Sequence, residues 1–313
     1  MANFVRQLKQ LGRKIVESGS IVDDLKKRAG EKKRKIVLCE GEDQRVVEAA
    51  LRCTEDEVAN IVLLGNAEQI KAKNPEADFT GIEIIDPVTS PKLEEYANLL
   101  YELRKAKGMT EEQAKEQAKD ATFFGALMLK AGDVDGLVSG ACHSTANTLR
   151  PGLQIIKTAP GVKSVSSFNM LIAPAGGNKY MEGDVIFFAD CGLNPTYMAE
   201  GLAECANATA QSAKEIAGLD PKVAMLSFST KGSAKHDNVT LVQEATRIAK
   251  ELAPELALDG ELQFDAAIVP EVAALKAPGS PVAGHANVFI FPDLQAGNIG
   301  YKIAERLDRK SVV

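Results

Sequence analysis

Residues 223–236 read VAMLSFSTKGSAKH, an apolar run that breaks into hydroxyls, a lysine and a glycine before a helical pattern begins. The apolar part is typical of a strand buried on both faces, as in parallel sheets. Gly232 permits a tight turn, neighbouring amides can point at an anion, and Lys231 can neutralise it. The spacing differs from a Walker A loop, which has a second glycine. The segment therefore indicates either an anion-binding loop or an ordinary strand–helix connection.

The same alternation of short apolar runs and amphipathic stretches extends along most of the chain. The predicted strands are IVLC at 36–39, IVLL at 61–64, IEII at 82–85, GLVS at 136–139, residues 164–172, VIFFA at 185–189, residues 223–228, AAIV at 266–269 and VFIF at 288–291. Buried strands that alternate with helices form mostly parallel sheets, which predicts an α/β fold. The break at residues 158–161, TAPG, predicts two domains, 1–158 and 159–313. We expect ligands beyond the carboxyl ends of the strands, in an interdomain cleft.

Composition argues against several classes of protein. With 313 residues, 45% hydrophobic and 26% charged, the chain is long enough for two globular domains. A net charge of −6 without a basic stripe argues against nucleic-acid binding. The five cysteines lack CxxC spacing and the three histidines lack helical metal spacing, which predicts reduced thiols and no His-based metal site. No apolar signal core or membrane-length run is present, so we expect a soluble, cytoplasmic protein.

A second segment, residues 137–151, repeats the pattern of the first. It reads LVSGACHSTANTLRP, with a strand that ends at residues 139–140 and a helix that starts at Ser144 or Thr145. Free amides there suit a phosphate, and Arg150 follows about one and a half turns later. The alternative is that Ser144 is only an N-cap, which is the commoner role of such a serine. Two such loops in one α/β chain favour a phosphate-bearing ligand.

Several other polar residues have both a functional and a structural interpretation. His143 is a candidate base or a loop histidine that bonds the backbone. Cys142 and Cys191, near strand ends, are candidate nucleophiles, although inert thiols are the default. Asp190 either orients a substrate or caps a turn, and Arg104 lies near a helix end, where surface cations are common.

The chain resembles the phosphate acetyl/butyryltransferase family. The resemblance is carried by five ordered segments, 101–110, 135–151, 188–195, 227–235 and 288–301, and extends from about residue 36 to residue 307. It implies two three-layer α/β domains with mostly parallel sheets and an interdomain cleft, as in isocitrate and isopropylmalate dehydrogenases, and a homodimer. It also implies that acetyl-CoA and phosphate are interconverted with CoA and acetyl phosphate. CoA is then a substrate, so no cofactor and no metal are expected.

The resemblance implies two groups of site residues. The CoA-binding group is Arg104, Arg150, Ser144 and Thr145. The group at the cleft for phosphate and acetyl phosphate is Ser229, Thr230, Lys231, Gly232, Ser233 and Asn298; Asn298 could also merely cap its helix. In the family mechanism an aspartate deprotonates the CoA thiol, and the thiolate attacks the acetyl phosphate carbonyl within a ternary complex.

The resemblance also implies a catalytic segment that this sequence does not contain. Family members carry Pro-Val-Asn-Asp-Leu-Ser-Arg-Gly and a later aspartate after the helix of residues 294–307, and that segment returns to complete the first domain. It supplies the catalytic serine, arginine and aspartate, which here would lie beyond Val313. We therefore expect low activity from this chain. The alternatives are a non-catalytic CoA-binding relative and a phosphate butyryltransferase. A decarboxylating dehydrogenase lacks support, because neither an acidic metal cluster nor a GxGxxG follows a strand.

Overall fold

The computed structural model describes residues 21–160, 162–173, 177–181, 183–307 and 311–312. The chain folds as two compact units, Leu25–Ala159 and a unit that contains Pro160–Val313. The first twenty residues of the predicted first domain, and the chain end at Val313, lie outside the described residues.

The first unit is built on a four-stranded parallel sheet in the order β3-β2-β1-β4. Its elements are α1 (Ile21–Glu31, which begins before the unit boundary), β1 (Arg34–Leu38), α2 (Gln44–Glu55), β2 (Ala59–Leu64), α3 (Ala67–Lys73), β3 (Glu83–Ile85), α4 (Leu93–Arg104), a 3-10 turn (Lys105–Lys107), α5 (Glu111–Ala118), α6 (Ala121–Ala131), β4 (Gly136–Val138), α7 (Thr145–Pro151) and a π-helix (Gly152–Ile156). Successive residues of β1 point to opposite faces of the sheet: Val37 packs with α4–α6, and Leu38 packs with α2 and α3. The sheet is therefore buried on both faces, as its apolar strands predict.

The second unit contains a six-stranded sheet in the order β10-β5-β6-β9-β7-β8. Its elements are β5 (Phe168–Ile172), β6 (Val185–Ala189), α8 (Ala199–Ala217), β7 (Lys222–Leu226), α9 (Asp237–Leu252), β8 (Ala257–Leu262), α10 (Phe264–Ile268), α11 (Pro270–Lys276), β9 (Val288–Ile290), α12 (Leu294–Leu307) and β10 (Ser311–Val312). Strand β5 runs antiparallel to β6 and β10, and the other neighbours are parallel. The α/β class with parallel-rich sheets is confirmed.

Strand prediction fails at two places in the second unit. The strand predicted over residues 266–269 is wrong, because these residues fall on α10 and the turn after it, where Ala266 and Ala267 are buried as helix residues. The strand actually present is β8, whose sequence ALDGEL has two charged residues and a glycine. Hydrophobicity misses β8 because Asp259 and Glu261 are buried through specific polar partners, a condition that periodicity does not detect.

Of two other local predictions, one is confirmed and one holds only in part. Thr110 forms the predicted capping box with Gln113 at the start of α5. The strand predicted over residues 164–172 begins only at Phe168. Among the described residues, no helix is both long enough and apolar enough to cross a membrane.

Candidate functional site

Loop A, residues 139–144, follows β4 and is built around the carboxylate of Glu40. Glu40 follows β1, the strand that pairs with β4, and is buried. Its oxygens accept hydrogen bonds from the backbone N–H groups of residues 140–142 at 2.9–3.1 Å. Nδ1 of His143 donates another to Glu40 Oε1 at 2.7 Å. The amides predicted to be free for a phosphate therefore bind an internal anion, and that prediction is corrected.

The contacts of Glu40 also set its charge. Burial alone would raise the pKa of the carboxyl group, but the hydrogen bonds from His143 and from the loop amides outweigh burial and lower the pKa. Gly140 has φ +118°, a conformation that favours glycine and lets consecutive amides turn toward one carboxylate. Loop A is thus held in place by an ionised side chain from the neighbouring strand.

Helix α7 carries three of the four residues predicted to bind CoA. Ser144 is its N-cap and accepts a hydrogen bond from the Asn147 N–H at 3.3 Å, so the capping interpretation is confirmed. Thr145 is the first helical residue and Arg150 lies in the last turn, both exposed. Within the described part of the chain, Arg150 forms no hydrogen bond or ion pair. The short helix thus presents a hydroxyl and a guanidinium to solvent.

Arg104, the fourth predicted CoA residue, lies at the end of α4 beside a surface cavity of about 180 Å³. The cavity is lined by Arg104, Lys107, Gly108, Met109 and Gln113. The Nε atom of Arg104 is buried and has no hydrogen-bond partner among the described residues. A buried donor without an acceptor is unfavourable, and two cations beside a cavity favour an anionic group. Arg104 is therefore more than an ordinary surface cation.

Loop B, residues 227–236, follows β7 and is built around Glu261 of β8. Glu261 Oε1 accepts hydrogen bonds from the Gly232 N–H at 2.7 Å and from Ser229 Oγ at 2.8 Å, and its Oε2 accepts one from Gln243 at 3.1 Å. Gly232 has φ +79°, which makes this approach possible. In loop B too, the amide that was expected to bind an anion, that of Gly232, donates to a carboxylate of the protein itself.

The remaining groups of loop B are internally bonded as well. Ser233 Oγ accepts a hydrogen bond from the Thr230 N–H at 3.0 Å, and the Thr230 hydroxyl accepts one from the Gln263 N–H at 2.9 Å. Ser229 is fully buried, and its hydroxyl also accepts one from the Ala234 N–H at 3.1 Å. The hydroxyl groups of Ser229, Thr230 and Ser233 are thus all bonded to other groups of the protein.

Lys231 is directed at a second buried carboxylate of β8. Its Nζ donates to Asp259 Oδ1 at 2.6 Å, and Lys250 and Ser280 bond the same carboxylate at 3.0 and 2.6 Å. Burial raises the pKa of Asp259, but these three partners outweigh burial and lower the pKa to about 2. The cation predicted to neutralise a ligand phosphate is therefore engaged by the protein.

Asp190 holds a third strand-end loop. It accepts hydrogen bonds from the backbone N–H groups of residues 192–194 at 3.0–3.1 Å and from Tyr197 OH at 2.7 Å. Asn298, on α12, donates from Nδ2 to the Cys191 carbonyl at 3.0 Å. Asp190 thus caps its own turn, and Asn298 fastens that turn to α12.

Neither candidate nucleophilic thiol is activated. Burial and the Asp190 charge raise the pKa of Cys191 to about 12. Cys142 is exposed, but desolvation and the charges of Glu40 and Asp43 raise its pKa as well. A thiol is nucleophilic only as the thiolate, so both cysteines fit the inert interpretation.

With this geometry in place, comparisons with known proteins decide the family. Residues 20–313 match the model of the phosphate acetyl/butaryl transferase family. The chain belongs to this family. It is 53% identical over 294 residues to the phosphate acetyltransferase of Thermoanaerobacterium thermosaccharolyticum, covering 94% of this chain and 89% of that protein. The Clostridium acetobutylicum phosphate acetyltransferase is 49% identical, with 94% and 88% covered.

Solved structures of family members show the same fold. The EutD phosphotransacetylase from Staphylococcus aureus superposes with a TM-score of 0.83 at 47% identity, covering 95% of this chain and 89% of that one. A phosphotransacetylase from Streptococcus pyogenes gives a TM-score of 0.85 at 46% identity, with 93% and 87% covered. These matches confirm the predicted phosphate acetyl/butaryl transferase family and the predicted acyltransferase.

Sequence reasoning missed the residues that organise the loops of this acyltransferase. Glu40, Asp259 and Glu261 are absent from the predicted site residues, although each is buried and contacts one of the two predicted loops. The acidic residues near the ends of neighbouring strands could have indicated these contacts. The carboxyl ends of paired parallel strands lie side by side, so an acidic side chain near one strand end can reach the loop that follows the other strand.

Proposed function

We propose that this chain is a phosphate acetyltransferase, which interconverts acetyl-CoA and phosphate with CoA and acetyl phosphate. The proposal is supported by the family match, by relatives of that name at about 50% identity, and by Arg104. The buried Nε of Arg104, which has no hydrogen-bond partner among the described residues and lies beside the Lys107 cavity, is the single structural observation that carries the proposal. CoA bears several phosphate groups, and a guanidinium binds phosphate through paired N–H donors.

The reaction proceeds by direct transfer within a ternary complex. The CoA thiol loses its proton to a base, and the thiolate attacks the carbonyl carbon of acetyl phosphate. A C–S bond forms, the C–O bond to phosphate breaks, and phosphate leaves with the electron pair. Developing negative charge on the carbonyl oxygen and on phosphate requires cationic and N–H donors. The scheme requires no cofactor and no covalent enzyme intermediate.

The structure supports different roles for the two predicted residue groups. Arg104, Thr145 and Arg150 are the groups we assign to CoA, since they lie beside a cavity or on an exposed helix. Ser229, Lys231 and Gly232 shape loop B from inside, because their donors are engaged by Asp259 and Glu261. We therefore assign them to maintaining the loop rather than to direct phosphate binding.

Three further properties belong to the proposal. We propose a cytoplasmic homodimer, with CoA, acetyl phosphate and phosphate as partners and no nucleic acid. We also propose that the fold is akin to that of isocitrate and isopropylmalate dehydrogenases. Each follows from the family resemblance rather than from a contact in the structure.

The test is thioester formation from acetyl phosphate and CoA by Arg104→Ala, Arg104→Lys and the wild type. We expect Arg104→Ala to raise the KM for CoA roughly 10- to 100-fold while the KM for acetyl phosphate stays unchanged. Arg104→Lys should recover part of that loss. Arg52→Ala, which removes an exposed arginine from α2, is the matched control.

Calorimetric titration with CoA separates the alternatives. CoA binding without turnover would identify a non-catalytic relative, and preference for butyryl phosphate would identify a butyryltransferase. An unchanged CoA affinity in Arg104→Ala would refute the role assigned to Arg104.

A further inference from the structure

A cluster of three different metal-ligand types lies beside loop A. The carboxylate of Glu40, the thiol of Cys142 and the imidazole of His143 each place a ligand atom within 4.8 Å of the other two. The side chain of Glu40 is 4% exposed and that of His143 is 35% exposed, while Cys142 is exposed. The cluster therefore has one fixed, buried ligand and two ligands at the surface, where an ion can enter.

The electrostatic surroundings of the cluster attract a cation. The carboxylate of Glu40 lies within 4.8 Å of the Cys142 sulfur, and the carboxylate of Asp43 also acts on this thiol. Arg45, paired with Asp43 at 2.7 Å, offsets only one of the two negative charges. A divalent ion supplies the positive charge that these carboxylates attract; it binds the sulfur as the thiolate, and the thiol proton is released to solvent.

The donor set selects the class of ion. Carboxylate oxygen, thiolate sulfur and imidazole nitrogen together suit Zn²⁺, which takes these donors at about 2.0–2.3 Å. Mg²⁺ and Ca²⁺ prefer oxygen donors and are poorly matched by a thiolate. Three protein ligands leave one tetrahedral position for water.

We propose that Glu40, Cys142 and His143 form a binding site for Zn²⁺ or a similar borderline divalent ion. The ion takes the place of the proton shared by His143 Nδ1 and Glu40 Oε1, which now lie 2.7 Å apart. Tetrahedral bonds of about 2.0–2.1 Å from both atoms require that separation to widen to roughly 3.3 Å. Because His143 lies at the surface, a small rotation of its side chain supplies this change. Glu40 Oε2 keeps its hydrogen bonds from residues 140 and 141.

Co²⁺ titration of the full chain tests the site with a spectroscopic readout. Co²⁺ occupies zinc sites, and a cobalt–thiolate bond gives a charge-transfer band in the near ultraviolet. We expect this band in the wild type, saturating at one ion per chain, and we expect added Zn²⁺ to abolish it. The proposal does not rest on the transfer reaction, so this test is independent of the proposed activity.

Matched variants assign the ligands. Cys142→Ser should abolish the charge-transfer band, and His143→Gln should weaken Co²⁺ binding at least about 10-fold. Cys53→Ser and His236→Gln, a half-buried thiol and a histidine distant in sequence, should leave the titration unchanged. Circular dichroism confirms that each variant is folded, and Glu40 is left intact because it organises loop A. Absence of the band in the wild type, or its persistence in Cys142→Ser, would overturn the proposal.

Discussion

Loops A and B have the same construction but differ in the solvent exposure of the residues around their central glutamate. In each, a glutamate on or just after the neighbouring parallel strand accepts hydrogen bonds from N–H groups of a strand–helix loop. Around Glu40, Cys142 and His143 are exposed. Around Glu261, Ser229 is fully buried and Thr230 is 5% exposed. The same arrangement therefore serves two purposes: loop B buries the two hydroxyl residues that begin its turn, whereas loop A keeps Cys142 and His143 at the surface.

The comparison predicts that the largest loss of stability follows from Glu261→Gln. Gln has nearly the same shape, but it is neutral, and its NH₂ group replaces either the oxygen that accepts from Gly232 and Ser229 or the oxygen that accepts from Gln243. The negative charge that accepts all three hydrogen bonds is lost and one donor faces another, so we expect a loss of about 3 kcal/mol in the free energy of unfolding. Urea unfolding measures the loss, and hydrogen exchange of the Gly232 amide should accelerate. Unchanged exchange at Gly232 would contradict the role of Glu261 in loop B.

Glu40→Gln should cost less, about 2 kcal/mol. The variant disturbs four donors, but the exposed side of loop A admits water, which can replace part of the lost hydrogen bonding. Exchange at the amides of residues 140–142 should accelerate while exchange at Gly232 stays unchanged. Glu48→Gln, an exposed glutamate on α2, is the control and should change stability by less than about 0.5 kcal/mol. A loss as large as that of Glu261→Gln would remove the distinction between the loops.

The smallest expected effect is that of Lys231→Met, and it depends on pH. The pKa of Asp259 is lowered to about 2 from its ordinary 3.8, so its stabilisation is complete above the ordinary value and is lost as pH falls through 2. The buried carboxylate contributes about 2 kcal/mol in this way. Without Lys231 the pKa rises, because Lys250 and Ser280 alone remain. We expect a loss of about 1 kcal/mol at neutral pH and a smaller further loss between about pH 5 and pH 2 than in the wild type.

Lys276→Met is the matched control for this prediction. Lys276 pairs with Asp265 at 2.8 Å, and the side chains are 40% and 49% exposed. Water screens such a pair, so we expect a change below about 0.5 kcal/mol. Equal pH profiles for Lys231→Met and the wild type, measured by urea unfolding, would show that Lys231 does not control the ionisation of Asp259.

Much of the fold was predictable because it depends on local chemistry. Apolar runs such as Val223–Leu226 and Val185–Ala189 are recognisable as buried strands, and Thr110 with Gln113 marks a helix start. Strand β8 was not predictable in this way, because its charged residues are buried only through partners distant in sequence. As a result, the sequence-based prediction omits β8 and places a strand at residues 266–269, which are helical up to Ile268.

The candidate site shows the same division. The two loops, the N-cap role of Ser144 and the relevance of Arg104 follow from residue type, position and family resemblance. The sequence does not show which group bonds the amides of the two loops, because Glu40 lies 100 residues before Gly140 in the chain and Glu261 lies 29 residues after Gly232. Sequence patterns find the donors of an anion site, but they do not show whether the anion comes from a ligand or from the protein.

By itself, the sequence determined that this protein is an α/β acyltransferase of the phosphate acetyl/butaryl transferase family with two glycine-containing strand–helix loops. Only the tertiary structure decided what those loops bind. Parallel pairing brings the ends of β1 and β4, and of β7 and β8, side by side, so a carboxylate on one strand reaches the amides that follow the other. Hydrogen bonding acts over a few ångströms in space regardless of distance along the chain, which is why the internal anions became visible only in the folded protein.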